Sequence, residues 1–182
     1  MKSGTRALGV AESYRGDAST FAGAVVRASR VADGFSFSDC TVGGLDSTAA
    51  VVDCYRQLDR EDVRYVFVSG VAPAWFNVVD LRDVHEAVSR PVLSVSFEAS
   101  EGLADAIERE FSGEARDRRL AVYERQPDRE PVSVNGERVF VRAVGCEDPA
   151  EVVRAFTPEG GRPEPLRVAR LAARAADQWT EA

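Results

Sequence analysis

The sequence predicts a mixed α/β fold: an antiparallel three-strand meander followed by parallel strands, with helices on both faces of the sheet. Three observations predict it. Three strand-like runs precede any helical pattern, and strands then alternate with helices. The run VRYVFVSG, residues 63–70, is apolar without alternation, as in a strand buried on both faces.

The elements follow in order. Thr5–Ser13 reads as a buried first strand, and Thr20–Arg30 and Gly34–Val42 as the next two, with Ala32–Gly34 as their hairpin turn. Asp46 stands where a helix cap belongs, able to accept from the amides of Thr48 or Ala49, and the helix runs to about Leu58. After the 63–70 strand, NVVDLRDVHEAVSR predicts a helix over Asn77–Arg90, and Pro91–Glu98 a strand. A helix follows with Ser100 as cap and Gly113 past its end. The charged stretch SGEARDRRLAVYERQPDRE reads as irregular. VSVNGERVFVRAVG reads as a hairpin turned at Asn135-Gly136. DPAEVVRAFT reads as a short helix with Asp148 as cap and Pro149 at its first position. A loop leads into a C-terminal helix with Leu166, Ala169, Leu171, Ala172 and Ala175 largely on one stripe. No repeat or linker interrupts the chain, so residues 1–182 are expected to form a single domain.

Composition narrows the function classes. Hydrophobic residues make up 45% of the 182, enough for a core. No apolar run approaches the roughly 18 residues of a membrane span, and MKSGTRALGV lacks the apolar core of a signal peptide. A cytoplasmic protein without a membrane partner is the expectation. Cys40, Cys54 and Cys146 form neither a disulfide framework nor a metal knuckle. Net charge is −7, and Lys2 is the only lysine among 23 basic residues. That balance suits a halophilic, salt-rich cytoplasm or a GC-rich genome, and it argues against avid nucleic-acid binding. A local arginine patch can still provide such binding.

The stretch TVGGLDSTAAVV, residues 41–52, admits two readings. It resembles the SGGxDS loop of ATP pyrophosphatases, which would bind a nucleotide through Gly43–Ser47. Val42 replaces that loop's first serine, however, and the stretch follows a third strand. The other reading is a strand-to-helix corner at Gly44 with Asp46 as cap.

A second resemblance covers nearly the whole chain. LGVAES (8–13), GLDSTAAVV (44–52), SGVAPAWFNVVDLRDVHE (69–86), RPVLSVSFE (90–98) and GRPEPLRVARLAA (161–173) match the archaeal endonuclease dU family in order and spacing. That family was long a domain of unknown function and is related to endonuclease V. The resemblance implies a ribonuclease-H-like fold, and makes the glycine corner a strand-to-helix turn. It further implies DNA repair by metal-dependent cleavage of DNA containing deaminated bases. Carboxylates at strand ends would hold Mg²⁺ or Mn²⁺, beside a pocket for an extruded base.

This chain departs from the family at the positions that carry the chemistry. The family's metal-site side chains are replaced by Ala11, Gly43, Ser69 and Arg170. Alanine and glycine side chains cannot ligate a hard cation, and arginine repels one while binding phosphate directly. Glu12 remains as the candidate catalytic carboxylate, although strand alternation points it to the opposite face from residue 11. Asp80 and Glu86 read as solvated or locally hydrogen-bonded groups, and Glu164 as favoured by the start of the last helix. His85, the lone histidine, is either a structural residue or a ligand or base. Trp75 and Phe76, with Asn77 beside them, either stack on a base or cover the end of the sheet. Arg162, Arg167, Arg170 and Arg174 present phosphate-binding charge or a salt-bridged helix face. Two functions are therefore carried forward: a scaffold that has lost cleavage and binds DNA or another protein, and an active endonuclease with a rearranged ligand set. No cofactor is assigned beyond Mg²⁺ or Mn²⁺ in the second case.

Overall fold

The computed structural model describes residues 1–180. Its strands are β1 (Arg6–Tyr14), β2 (Ala18–Arg27), β3 (Ala32–Thr41), β4 (Val63–Ser69), β5 (Val92–Ser96), β6 (Glu130–Val134) and β7 (Glu137–Val144). They form one sheet in the order β3-β2-β1-β4-β5-β7-β6. β1 is antiparallel to β2, and β2 to β3, whereas β1, β4 and β5 run parallel. The β6–β7 hairpin closes the other edge antiparallel to β5. This is the meander followed by crossovers that the order of patterns predicts.

The helices are α1 (Ser47–Arg56), α2 (Pro73–Phe76), α3 (Leu81–Val88), α4 (Ala104–Glu110), α5 (Gly113–Glu124), α6 (Pro149–Ala155) and α7 (Glu164–Thr180). Strand alternation sends Leu8, Val10, Val66 and Val68 into one core with the α1 and α3 side chains Val51 and Val84. Phe67, Leu93 and Val95 join Val153, Phe156 and Leu166 in a second core under α6 and α7. Phe156 meets Phe67 edge-on at 5.5 Å, a favoured aromatic geometry. β1 crosses α7 at Gly9, where an added Cβ would lie 2.2 Å from the Pro165 backbone. None of the described helices is long and apolar enough to cross a membrane.

Several local expectations hold. Asp148 caps α6 through the amide of Glu151 at 2.8 Å, with Pro149 in the first turn. Asn135 and Gly136 take φ of 50° and 83°, as a tight hairpin turn requires.

Others are corrected. The β2–β3 turn lies at residues 28–31 rather than Ala32–Gly34, with Arg30 in the left-handed conformation at φ 70°. Asp33 is thereby freed to receive Arg6 and Arg27 at 2.9 and 2.8 Å. The segment 77–80 is not helical. Asn77 is committed to another element, and α3 starts at Leu81 with Asp80 accepting from the amides of Arg82 and Asp83. Ser100 does not cap α4; Leu103 precedes that helix, and its amide donates to the Tyr123 hydroxyl at 3.0 Å. The charged stretch read as irregular contains helix α5. Its pattern shows no apolar stripe because its buried residue is Arg119.

Candidate functional site

The glycine corner between β3 and α1 is built from long-range hydrogen bonds. Asp46 occupies the cap position without capping: no hydrogen bond joins its side chain to the helix amides. Its carboxylate accepts instead from the Thr41 amide at 3.1 Å, the Thr41 hydroxyl at 3.0 Å and Asn77 Nδ2 at 2.7 Å. Burial pulls the Asp46 carboxyl upward, but the Asn77 and Thr41 hydrogen bonds prevail and hold it below the ordinary value. Asn77, fully buried, takes over the capping and accepts from the Ser47 amide at 3.0 Å. Its Nδ2 also donates to the Thr41 carbonyl at 2.8 Å.

These bonds count against the nucleotide-loop reading at Gly43–Ser47. The Gly43 amide donates to the Ala74 carbonyl, the Gly44 amide to Thr41 and the Ser47 amide to Asn77. Three of the loop's five amides are thus engaged within the protein. Behind the corner, Arg119 is 3% exposed and donates to the carbonyls of Gly43, Gly44, Phe76 and Ala115. Its guanidinium lies 3.9 Å from the centre of the Phe111 ring. Burial lowers the Arg119 pKa.

Arg119 and Gly43 hold an unusual turn. Ala74, Trp75 and Phe76 all take left-handed φ, at 47°, 54° and 59°. Such residues cost roughly 1–3 kcal/mol each and persist where their surroundings over-determine them. Here the fixing contacts are Gly43 N–H to the Ala74 carbonyl at 2.7 Å and Arg119 to the Phe76 carbonyl at 3.1 Å. The Trp75 ring fills the space beside Gly43, where an added Cβ would come within 2.8 Å of it.

Trp75 and Phe76 reach the rim of a cavity of about 550 Å³ at the carboxyl ends of β1, β4 and β5. Ligands of open α/β sheets favour such strand ends. Four guanidinium groups line it, from Arg129, Arg142, Arg162 and Arg170, together with two carboxylates, Glu12 and Glu98. Arg129 stacks 4.1 Å over Phe140 and hydrogen-bonds Ser96, the Glu98 carbonyl and Ser100. Arg142 donates to the Pro127 carbonyl and to the Tyr123 hydroxyl. Arg162 lies 4.0 Å over the Phe97 ring, and its buried Nη1 has no hydrogen-bond partner among the described residues. Burial, then the charges of Arg170 and Arg174, push the Arg162 pKa down. Burial and neighbouring Arg142 do the same to Arg129.

The sequence candidates divide around this cavity. Glu12, Ser69, Trp75, Phe76, Arg162 and Arg170 border it. Glu12 also accepts from the Ser19 hydroxyl at 2.7 Å. Ala11 is buried in a cluster with Ala24, Val26 and Ala169. Asn77 does not face a ligand, since it holds the glycine corner. Arg167 points its charge into an ion pair with Glu164, at 2.5–2.7 Å. His85 donates from Nδ1 to the Arg90 carbonyl at 2.7 Å and packs on Gly145, which makes it structural. Asp80 is 3% exposed, caps α3 and pairs with Arg125 at 3.0 Å. Sequence reasoning missed Arg129 and Arg142. Strand parity held a signal for Arg142: Val139 and Val141 face the core, so residues 140 and 142 share the other face.

The residues present do not fit a divalent cation. Among the described residues no three His, Cys, Asp or Glu side chains converge on one point. A divalent ion about 5 Å from a guanidinium is repelled by about 7 kcal/mol at an effective dielectric constant near 20. The cavity is suited to an anion.

Comparison with known proteins places this geometry. A UPF0215 protein of Pyrobaculum aerophilum is 30% identical over 177 residues, covering 94% of each chain. A UPF0215 protein of Methanopyrus kandleri is 30% identical over 180 residues, covering 95% of this chain and 91% of its own. A crystal structure of a protein of unknown function from Archaeoglobus fulgidus superposes with a TM-score of 0.82 at 23% identity, covering 94% and 97% of the two chains. Ciona intestinalis endonuclease V, in complex with a 24mer DNA containing an inosine followed by a ribo-adenosine, gives a TM-score of 0.62 at 11% identity, with 97% of this chain and 87% of that one covered. The endonuclease V likeness bears out the ribonuclease-H-like fold. The Endonuclease dU family profile matches residues 3–177, and the chain belongs to that family.

Proposed function

We propose that the chain is a nucleic-acid-binding scaffold of a nuclease-type family, in which the cation site has been dismantled. One observation carries the reading: four arginines line the cavity at the strand ends, where the resemblance expects a metal site. Arg170 lines the cavity itself, Ser69 stands at the end of β4, and Ala11 is packed away under α7. At Gly43 the space of a side chain is taken by the Trp75 ring, so a carboxylate there would collide with it. The excess of positive charge in the cavity suits phosphodiester oxygens, and the aromatic rim suits a nucleobase face. The DNA-bound Ciona endonuclease V supports DNA as the partner class.

The test uses labelled single-stranded and duplex DNA containing deoxyuridine or deoxyinosine, in EDTA and in Mg²⁺ or Mn²⁺. Anisotropy is expected to report binding that persists in EDTA and weakens with salt, while gels show intact strands. Metal-dependent scission that disappears in Glu12→Gln would establish the active endonuclease instead. Absence of binding to every DNA would sink the nucleic-acid reading.

A further inference from the structure

Arg162 is placed by its loop. Gly161 packs against the β6–β7 hairpin so closely that an added Cβ would lie 2.6 Å from Glu137 Oε2 and 3.1 Å from Val139 Cγ1. The next residue therefore projects from a fixed backbone, with its guanidinium flat on Phe97 at 4.0 Å. Arg119, which is buried, and Arg129, which is half-buried, spend their donors on the protein. Arg119 binds four carbonyls, and Arg129 binds Ser96, Ser100 and the Glu98 carbonyl. Arg162 leaves a buried Nη1 without an acceptor among the described residues. A charged donor held away from water in this way costs free energy unless an acceptor arrives. Arg170 lines the same cavity, forms no ion pair among the described residues and adds positive charge beside it.

We propose that Arg162 and Arg170 seat the phosphate of a single nucleoside monophosphate unit, without a divalent cation, with its base toward Trp75 and Phe76. The inference rests on the reading above in using the same cavity, and adds the ligand's chemical class and the seat of its phosphate. A volume of about 550 Å³ lies within the range of small-ligand pockets and accepts one nucleotide rather than a duplex. Guanidinium matches phosphate in a bidentate fork, so two such groups can grip one phosphate. Two sources share this chemistry: a free nucleotide and a terminal nucleotide of a strand.

Calorimetry in EDTA tests the seat with deoxyuridine 5′- and 3′-monophosphates, deoxyuridine itself, and an oligonucleotide with or without terminal phosphates. At least one monophosphate is expected to bind tenfold or more tighter than the nucleoside. Arg162→Gln is expected to remove that preference while leaving the thermal midpoint nearly unchanged, since it deletes a half-buried side chain with one unanswered donor. Arg162→Lys should restore part of the affinity. If Arg162→Gln fails to fold, Arg170→Gln gives the same readout from an exposed position. A strand preferred only when it carries a terminal phosphate identifies the strand as source; equal binding of free monophosphate identifies the nucleotide. Strand binding that ignores both terminal phosphate and Arg162 would overturn the seat and leave the scaffold reading intact. Monophosphate binding without strand binding would do the reverse.

Discussion

Replacing Gly9 by alanine tests the contact on which the placement of α7 depends. Gly9 sits in β1 directly beneath the first turn of α7. A Cβ there would lie 2.2 Å from both the carbonyl carbon and oxygen of Pro165, and 2.7 Å from the Leu166 amide. Ordinary contact begins near 3.4 Å, so the helix backbone must retreat by about 1 Å. A gap of that size forfeits a quarter to a half of the dispersion attraction across it. The affected residues are Leu166, Ala169 and Ala173, all fully buried. Overpacking adds about 1–3 kcal/mol, while the entropy of the unfolded chain returns about 0.4–1 kcal/mol in favour of alanine. The balance is a loss of about 1–2 kcal/mol, or roughly 2–8 °C in thermal midpoint for a chain of this size. Urea and thermal denaturation measure it, with Gly16→Ala as control because nothing lies within 4 Å of that position. A Gly9→Ala variant within about 0.5 kcal/mol of the parent would refute the close packing of α7 on β1.

The other predictions concern the corner, the turn, one carboxylate and the cation site. Asn77→Ala strands the Ser47 amide, the Thr41 carbonyl and Asp46, and is expected to cost about 3 kcal/mol in urea unfolding. Arg119→Met removes the donor that serves Gly43, Gly44 and Phe76; in a Trp179→Phe background, the Trp75 emission should shift, and an unchanged spectrum counts against the lock. Burial pulls the Asp33 carboxyl upward, but hydrogen bonds from Arg27 and Arg6 and the charge of Arg60 outweigh it and lower its pKa from 3.8. The stability Asp33 contributes is therefore fully present above that unfolded value and lost as pH falls through the lower folded one, and Asp33→Asn should flatten this acid limb. Adding about 5 mM Mg²⁺ to EDTA-treated protein should leave the thermal midpoint within about 1 °C, whereas a clear rise would reveal a cation site.

The candidate site was partly legible. Trp75, Phe76, Arg162 and Arg170 stand out by type and position, and all reach the cavity. Asn77 and Arg167 carry the same chemistry in the sequence, yet one is consumed by the glycine corner and the other by Glu164. Arg129 and Arg142 went unread because a charged stretch and a hairpin give no sign that two guanidinium groups will meet over Phe140 and Tyr123.

By itself the sequence determined the strand faces, the Asn135-Gly136 turn and the Asp148 cap. Each follows from side-chain identity or from groups a few residues apart. Only the tertiary structure decided that Asp46 would bind backward to Thr41 and Asn77, that α5 would fold around a buried arginine, and that Arg162 would keep an unanswered donor. Those outcomes depend on hydrogen-bond partners and charges brought together from distant segments, which local periodicity does not encode.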